Sequence, residues 1–98
     1  MSNCYEIVSF AFKTTTPVGQ QHQLMATIGE FARRQPGFMA RSCYYDPKAN
    51  RWTDLVTWRS AEDAVNAMAH FDKAPETADA MKALDPTSIQ SGHYDQVA

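Results

Sequence analysis

The segment from Arg51 to Trp58 alternates strictly, and this alternation constrains the fold more than any other stretch of the chain. Four side chains recur at every second position: Trp52, Asp54, Val56 and Trp58. In an extended strand these side chains point to the same face of the sheet. Buried carboxylates and buried indole N–H groups both require hydrogen-bond partners, so the set is poorly suited to a close-packed core. The row therefore predicts a strand that lines the floor of a pocket.

Hydrophobic periodicity and turn residues predict the remaining elements. Residues 5–12 carry apolar side chains on both faces, as expected for a strand in a covered sheet. Residues 18–35 carry apolar side chains at three- and four-residue steps, which predicts a helix with Thr16 as its N-cap and Pro17 at its first position. The predicted order is a strand over 5–12, a helix over 18–35, strands over 38–45 and 51–58, a helix capped by Ser60, a short helix over 76–84 and a strand over 88–97.

This order, β-α-β-β-α-β with a split second helix, predicts a ferredoxin-like α+β sandwich in a single domain over 1–98. One four-stranded antiparallel sheet would carry helices on one face, with the third and last strands flanking the first. The first two strands have large apolar residues on both faces, so the uncovered face would be a liability for a monomer. Pairing of two sheets across a two-fold axis would bury that face, which predicts a homodimer.

Composition and cysteine usage narrow the classes of partner and the compartment. The chain has 9 basic and 11 acidic residues among 98 and no basic stripe, which argues against nucleic acid and anionic membranes as partners. Its apolar runs fall short of the roughly 20 residues that a membrane span needs, and no secretory signal is visible. Cys4 and Cys43 are too few and too far apart for a disulfide framework, so we expect reduced, structural thiols in a cytoplasmic protein. Three histidines without paired spacing predict no metal site.

Asp54 and His93 are the candidate catalytic residues. His93 shares a strand face with Ile89 and Ser91, and the predicted topology places it one strand away from Asp54. A carboxylate within reach of an imidazole would hold its tautomer and raise its basicity, as proton abstraction requires. The alternatives are a solvated carboxylate at a pocket rim and a histidine that bonds only to backbone or a cross-strand partner.

The candidate substrate-binding residues are aromatic or flexible side chains that the pattern places near the pocket. The two tryptophans could stack on a flat ligand, and Tyr44 and Tyr45 alternate faces, so that one of them could enter the pocket. His70 could reach the pocket mouth or satisfy the last carbonyls of its helix. Met68 and Met81 have core spacing but would also suit an apolar cavity. The predicted set is Trp52, Trp58, Tyr44, His70, Met68 and Met81.

Three segments together resemble the antibiotic biosynthesis monooxygenase-like domains of the dimeric α/β-barrel superfamily. They are the early strand Tyr5–Phe12, the link Gln35–Phe38, and Val56–Ala64, in which the third strand ends in Trp and enters the second helix. The resemblance covers nearly the whole chain. It implies a small homodimer, and an activity such as the oxidation of polycyclic phenols to quinones by molecular oxygen without metal or flavin.

Other members of that superfamily open the haem ring, and the resemblance does not extend to their site. They place an Asn on the first strand, a Trp at the end of the third and a His on the second helical region. Trp58 matches the Trp, but residues 4–12 contain no Asn and residues 74–84 contain no His. What the resemblance implies is a cofactor-independent monooxygenase-like protein acting on a small aromatic or polyketide-like molecule. A non-catalytic ligand-binding or stress-response dimer, and a structural dimer with the Trp row at its interface, are the alternatives.

Overall fold

Four antiparallel strands form one open sheet in the computed structural model, which describes residues 2–98. The strand order is β2-β3-β1-β4, so that the third and last strands flank the first, as predicted. The ferredoxin-like α+β class is confirmed. The elements are β1 (Cys4–Phe10), α1 (Val18–Arg33), β2 (Phe38–Asp46), β3 (Arg51–Trp58), α2 (Ala61–Phe71), a 3-10 turn (Pro75–Thr77), α3 (Ala78–Ala83), a second 3-10 turn (Pro86–Ser88) and β4 (Gln90–Tyr94).

The two long helices begin differently. Ser60 caps α2 as the sequence predicts, because its hydroxyl accepts a hydrogen bond from the Asp63 amide at 3.1 Å. The prediction of Thr16 as the cap of α1 is wrong. Pro17, in extended conformation, is the N-cap, and the Thr16 carbonyl instead accepts a hydrogen bond from Gln21 Nε2 at 2.9 Å.

An irregularity in β2 decides which of its side chains face the helices. The register of β2 on β3 shifts between Phe38 and Ala40, which places Arg41, Cys43 and Tyr45 opposite Val56, Asp54 and Trp52. A bulge of this kind redirects the side chains that follow it. Arg41 is thereby brought onto the same face as the β3 row.

The core under the helices consists of two apolar clusters. Small residues of α2 pack on one end of the sheet, while α1 and α3 pack on the other. The first cluster is Phe10, Phe12, Leu24, Met25, Trp52, Ala80 and Leu84, and the second is Cys4, Val56, Trp58, Ala64 and Ala67.

The buried side of α2 is narrow. Ala64 and Ala67 are its buried residues, whereas Val65 is 56% exposed and Met68 and Ala69 are also exposed. Only small side chains fit where the helix approaches the sheet, so the larger ones project along its flank. Met81 of α3, also predicted as core, is exposed in the same way.

The second face of the sheet is open. Ile7 and Leu55 oppose one another across β1 and β3 on this face, and both are partly buried. Tyr44 and Tyr94 lie on the same face and are exposed. Within residues 2–98 no helix is long and apolar enough to cross a membrane.

Candidate functional site

A cavity of about 350 Å³ lies between the sheet and the helices. Its wall is mostly apolar and draws on both core clusters. Phe31 of α1 and Phe71 of α2 meet edge to face in this wall, with ring centroids 5.7 Å apart. The sheet contributes Glu6, Val8, Phe10, Asp54, Val56, Trp58 and Ser91, and the remaining residues of the lining are Ile28, Phe31, Ala32, Ala67, Met68, Phe71, Asp72, Met81, Leu84 and Ile89.

Asp54 lies in the cavity wall and is engaged by an arginine. Arg41 donates from Nε to Oδ1 at 2.8 Å and from Nη2 to Oδ2 at 3.0 Å, and both side chains are almost buried. Such a bidentate, charge-assisted pair fixes the carboxylate geometrically. Within the described part of the chain, the expected hydrogen bond between Asp54 and His93 is not formed.

His93 instead meets a second carboxylate, Glu6, which also lies in the cavity wall. His93 Nε2 is 3.3 Å from Glu6 Oε2, and Trp58 Nε1 donates to Glu6 Oε1 at 3.1 Å. Glu6 and His93 are register partners across β1 and β4, which accounts for the contact. The sheet face thus carries two carboxylates, one held by a cation and the other by an indole and an imidazole.

The tryptophan row is divided between the cavity and the solid core. Trp58 lines the cavity, with Phe38 packed edge to face against it at a centroid distance of 6.0 Å. Trp52 is outside the lining and lies in the first core cluster, where its Nε1 donates to Gln21 Oε1 at 3.0 Å. The reading of the row as interface packing is wrong, because both indoles are already buried within a single chain, under its own helices.

The other predicted binding residues are scattered. Met68 and Met81 line the cavity, and their exposure places them at its mouth. Tyr44 is 61% exposed on the open face of the sheet, whereas its neighbour Tyr45 faces the helices and packs on Trp52. His70 is exposed outside the lining, with its Nδ1 3.0 Å from Gln35 Oε1.

Gly29 of α1 makes room for the Arg41 guanidinium. A Cβ atom at this position would overlap Arg41 Nη1, so any larger residue would displace the arginine from its place beside Asp54. A glycine inside a helix weakens it, and close approach of another group is the usual compensation. The sequence alone carried no sign of this contact between α1 and β2. The contact depends on the bulge in β2, which turns Arg41 towards the helix.

Both cysteines are free thiols. Burial is the main cause that raises the pKa of Cys43, the charge of Asp54 raises it further, and Arg41 opposes the effect. Burial also raises the pKa of Cys4, and Glu6 and Asp95 add to it. A raised pKa lowers the thiolate fraction, which suits structural thiols.

Glu6 and Arg41 are the site residues that sequence reasoning missed. Glu6 shares its strand face with Cys4, Val8 and Phe10, and a carboxylate in such an apolar row is as informative as Asp54 is in β3. Alternation could therefore have found Glu6. Arg41 could not have been placed, since the bulge that sets its face has no sequence signal we could identify.

The known proteins that this chain resembles are solved structures with a similar fold. No family model and no curated protein matches the chain. SnoaB, a cofactor-independent oxygenase from Streptomyces nogalater, is 19% identical with a TM-score of 0.71, covering 100% of this chain and 94% of its own. A Bordetella bronchiseptica protein named as an antibiotic biosynthesis monooxygenase is 16% identical with a TM-score of 0.76 and full coverage of both chains.

The same fold also serves other chemistry. The hydroxynitrile lyase of Passiflora edulis is 18% identical with a TM-score of 0.71, covering 98% of this chain and 94% of its own. The TM-scores establish the fold. Sequence identities this low do not establish the reaction, which must be argued from the site. The chain has the ferredoxin-like fold of the antibiotic biosynthesis monooxygenase-like proteins, as its sequence resemblance predicts.

Proposed function

We propose that the protein binds a small, flat aromatic or polyketide-like molecule in the cavity and oxidises it with molecular oxygen, without metal or flavin. The observation that carries the proposal is the cavity itself, an apolar chamber whose sheet wall presents Trp58 beside two carboxylates. The fold shared with a cofactor-independent oxygenase supports the reaction class.

The size and chemistry of the cavity favour a compact ligand. Small-molecule sites commonly enclose roughly 300–1,000 Å³, and about 350 Å³ is near the lower limit. Phe31, Phe71 and Trp58 would pack against fused rings. Glu6 and Asp54 retain acceptor capacity, so a ligand with hydroxyl donors on one edge would match them. Asp54, held by Arg41, would orient that edge.

We also propose that the protein is a homodimer whose two copies pair through the open face of the sheet. Ile7 and Leu55 lie at the centre of that face, and the exposed Tyr44 and Tyr94 lie nearer its margins. Burial of this surface against a second copy would remove it from water and leave the cavity of each subunit accessible on the helix side.

Oxygen consumption tests the reaction directly. Purified protein should consume oxygen with at least one member of a panel of hydroquinones and anthrones, in the presence of a metal chelator, and yield the quinone by mass spectrometry. Trp58→Phe should reduce the rate, whereas Trp52→Phe, which alters an indole outside the cavity, should leave it near the wild-type value. Lack of uptake with the whole panel would contradict the oxygenase proposal.

A non-catalytic ligand-binding dimer is the second candidate function. The observation that favours it is the bidentate ion pair of Asp54 with Arg41, which makes protonation of Asp54 unfavourable and so removes one obvious general base. Quenching of tryptophan fluorescence by panel members without oxygen uptake would support binding alone.

A further inference from the structure

We propose that Glu6 is the base that removes a proton from the bound molecule, and that His93 carries this proton to solvent. The inference rests on the proposed function for the place and class of the ligand. It deepens that function by assigning the proton transfer to a residue pair, which requires a ligand that carries an acidic C–H or O–H group on its ring edge.

Glu6 is suited to accept a proton because neither of its neighbours is a buried side chain with a permanent charge. Its side chain is 9% exposed, lies in the cavity wall, and is contacted by the Trp58 indole and the His93 imidazole. If Glu6 becomes protonated, neither neighbour is left as an unpaired buried charge. Each Glu6 oxygen also keeps a second acceptor position beyond its present donor.

Asp54 is unsuited to the same task because its neighbour is a buried cation. Both of its oxygens are bonded to Arg41, at 2.8 and 3.0 Å. Protonation of Asp54 would leave the guanidinium without its counter-charge in a nearly buried position, which is strongly unfavourable. Asp72, the third carboxylate of the lining, is exposed at the end of α2. Of the two carboxylates in the sheet wall, Glu6 is therefore the one free to change its protonation state.

His93 provides the connection from Glu6 to water. It lies on β4, the edge strand of the sheet, its side chain is 37% exposed, and it is outside the cavity lining. Its Nε2 faces Glu6, so in the tautomer that carries its proton on Nδ1 the ring can accept the Glu6 proton at Nε2 and release the Nδ1 proton to solvent. His93 acts through Glu6 and is a positioning and relay residue.

The step balances without any redox partner. A C–H or O–H bond of the ligand breaks, and its electron pair stays on the ligand as an enolate or phenolate. The proton forms an O–H bond on Glu6 and passes to Nε2 of His93 as the Nδ1 proton of the ring leaves to water. Proton exchange with water then returns the ring to its starting tautomer. The resulting electron-rich anion is the species that molecular oxygen would then oxidise.

Isotope exchange tests the proton transfer separately from oxidation. Anthrone is incubated with the protein in D₂O under strictly anaerobic conditions, and loss of its methylene proton signal is followed by NMR. The wild type should accelerate the exchange. Glu6→Gln should lower the protein-catalysed rate by about a hundredfold or more, as expected for loss of a general base, while anthrone still quenches the tryptophan fluorescence.

Two further variants make the test specific. Glu30→Gln, at an exposed position of α1, is the matched control and should exchange at the wild-type rate. His93→Ala should slow exchange, and added imidazole should restore it, which a purely structural role would not explain. Because His93 is partly exposed at the sheet edge, this variant tests the relay even if Glu6→Gln fails to fold.

The outcomes separate the two proposals. Equal exchange by wild type and Glu6→Gln would overturn the assignment of Glu6 and leave the proposed function standing. Binding of anthrone without any catalysed exchange would overturn it as well. If no panel compound binds or consumes oxygen, the proposed function itself fails, and the role of Glu6 fails with it.

Discussion

Two buried carboxylates on one face of the sheet have different kinds of hydrogen-bond partner, one a charged guanidinium and the other an indole and an imidazole. Asp54 forms a charged pair with Arg41, whereas Glu6 accepts from Trp58 and contacts His93. A buried charged pair is costly to break from one side, because the remaining partner cannot recover its hydration. The first carboxylate should therefore matter for stability and the second for chemistry.

Asp54→Ala should lower the free energy of unfolding by about 3 kcal/mol, because it leaves the nearly buried Arg41 unpaired. Glu76→Ala removes half of the exposed Arg34–Glu76 pair, at 3.4 Å, and should cost no more than about 0.5 kcal/mol. Urea unfolding followed by circular dichroism measures both. Equal losses in the two variants would contradict the account of the buried pair.

Among the secondary-structure elements, the packing of α1 on β2 determines the position of the Arg41 side chain. The helix propensity of the α1 residues matters less for the site. Gly29 lies where α1 passes the Arg41 guanidinium, and Gly19 lies in the first turn of the same helix. The two glycines share a helix and differ in their surroundings. They therefore separate a requirement for space from simple helix propensity.

Gly19→Ala should stabilise the protein by about 0.5–1 kcal/mol, because nothing lies within 4 Å of the added methyl group and alanine favours the helix. Gly29→Ala should instead destabilise it by about 1–3 kcal/mol, because the methyl overlaps Arg41 and crowds a filled interface. Thermal and urea unfolding compare the pair. A gain in stability for Gly29→Ala would show that Arg41 moves aside without loss.

Local sequence predicted the elements well because each has its own signal. Alternation set the β3 row, Ser60 capped α2, and the element order implied the strand order. The division of the Trp row had no such signal. Trp52 is enclosed because Gln21, one turn into α1, reaches its indole, and such a contact depends on how the helix lies on the sheet. The partners of Asp54 and His93 likewise followed from tertiary register.

At the scale of the whole molecule, the sheet separates two surfaces with different proposed uses. Its helix-covered face encloses the cavity, and its open face carries the apolar pair Ile7 and Leu55. A chain of this length buries a modest share of its surface, so a second copy on the open face would add substantially to its core.

Leu55→Arg should convert the proposed dimer into monomers, because it places a charge at the centre of the open face, where it would lack a partner in the interface. Val65→Arg is the matched control, because Val65 is exposed on α2, on the other side of the sheet. Sedimentation equilibrium reports the mass of each variant. A wild type with the mass of one chain, or an unchanged dimer in Leu55→Arg, would contradict pairing through this face.

The mouth of the cavity is flanked by two thioethers, those of Met68 and Met81. Their unbranched chains can shift to admit guests of different outline. If the protein oxidises its ligand with oxygen as proposed, any peroxide released at this opening would meet these sulfur atoms. Conversion to the sulfoxide would make the mouth of the cavity polar and would weaken the binding of apolar ligands. Ligand binding should therefore weaken with repeated turnover, and methionine sulfoxide reductases should restore it.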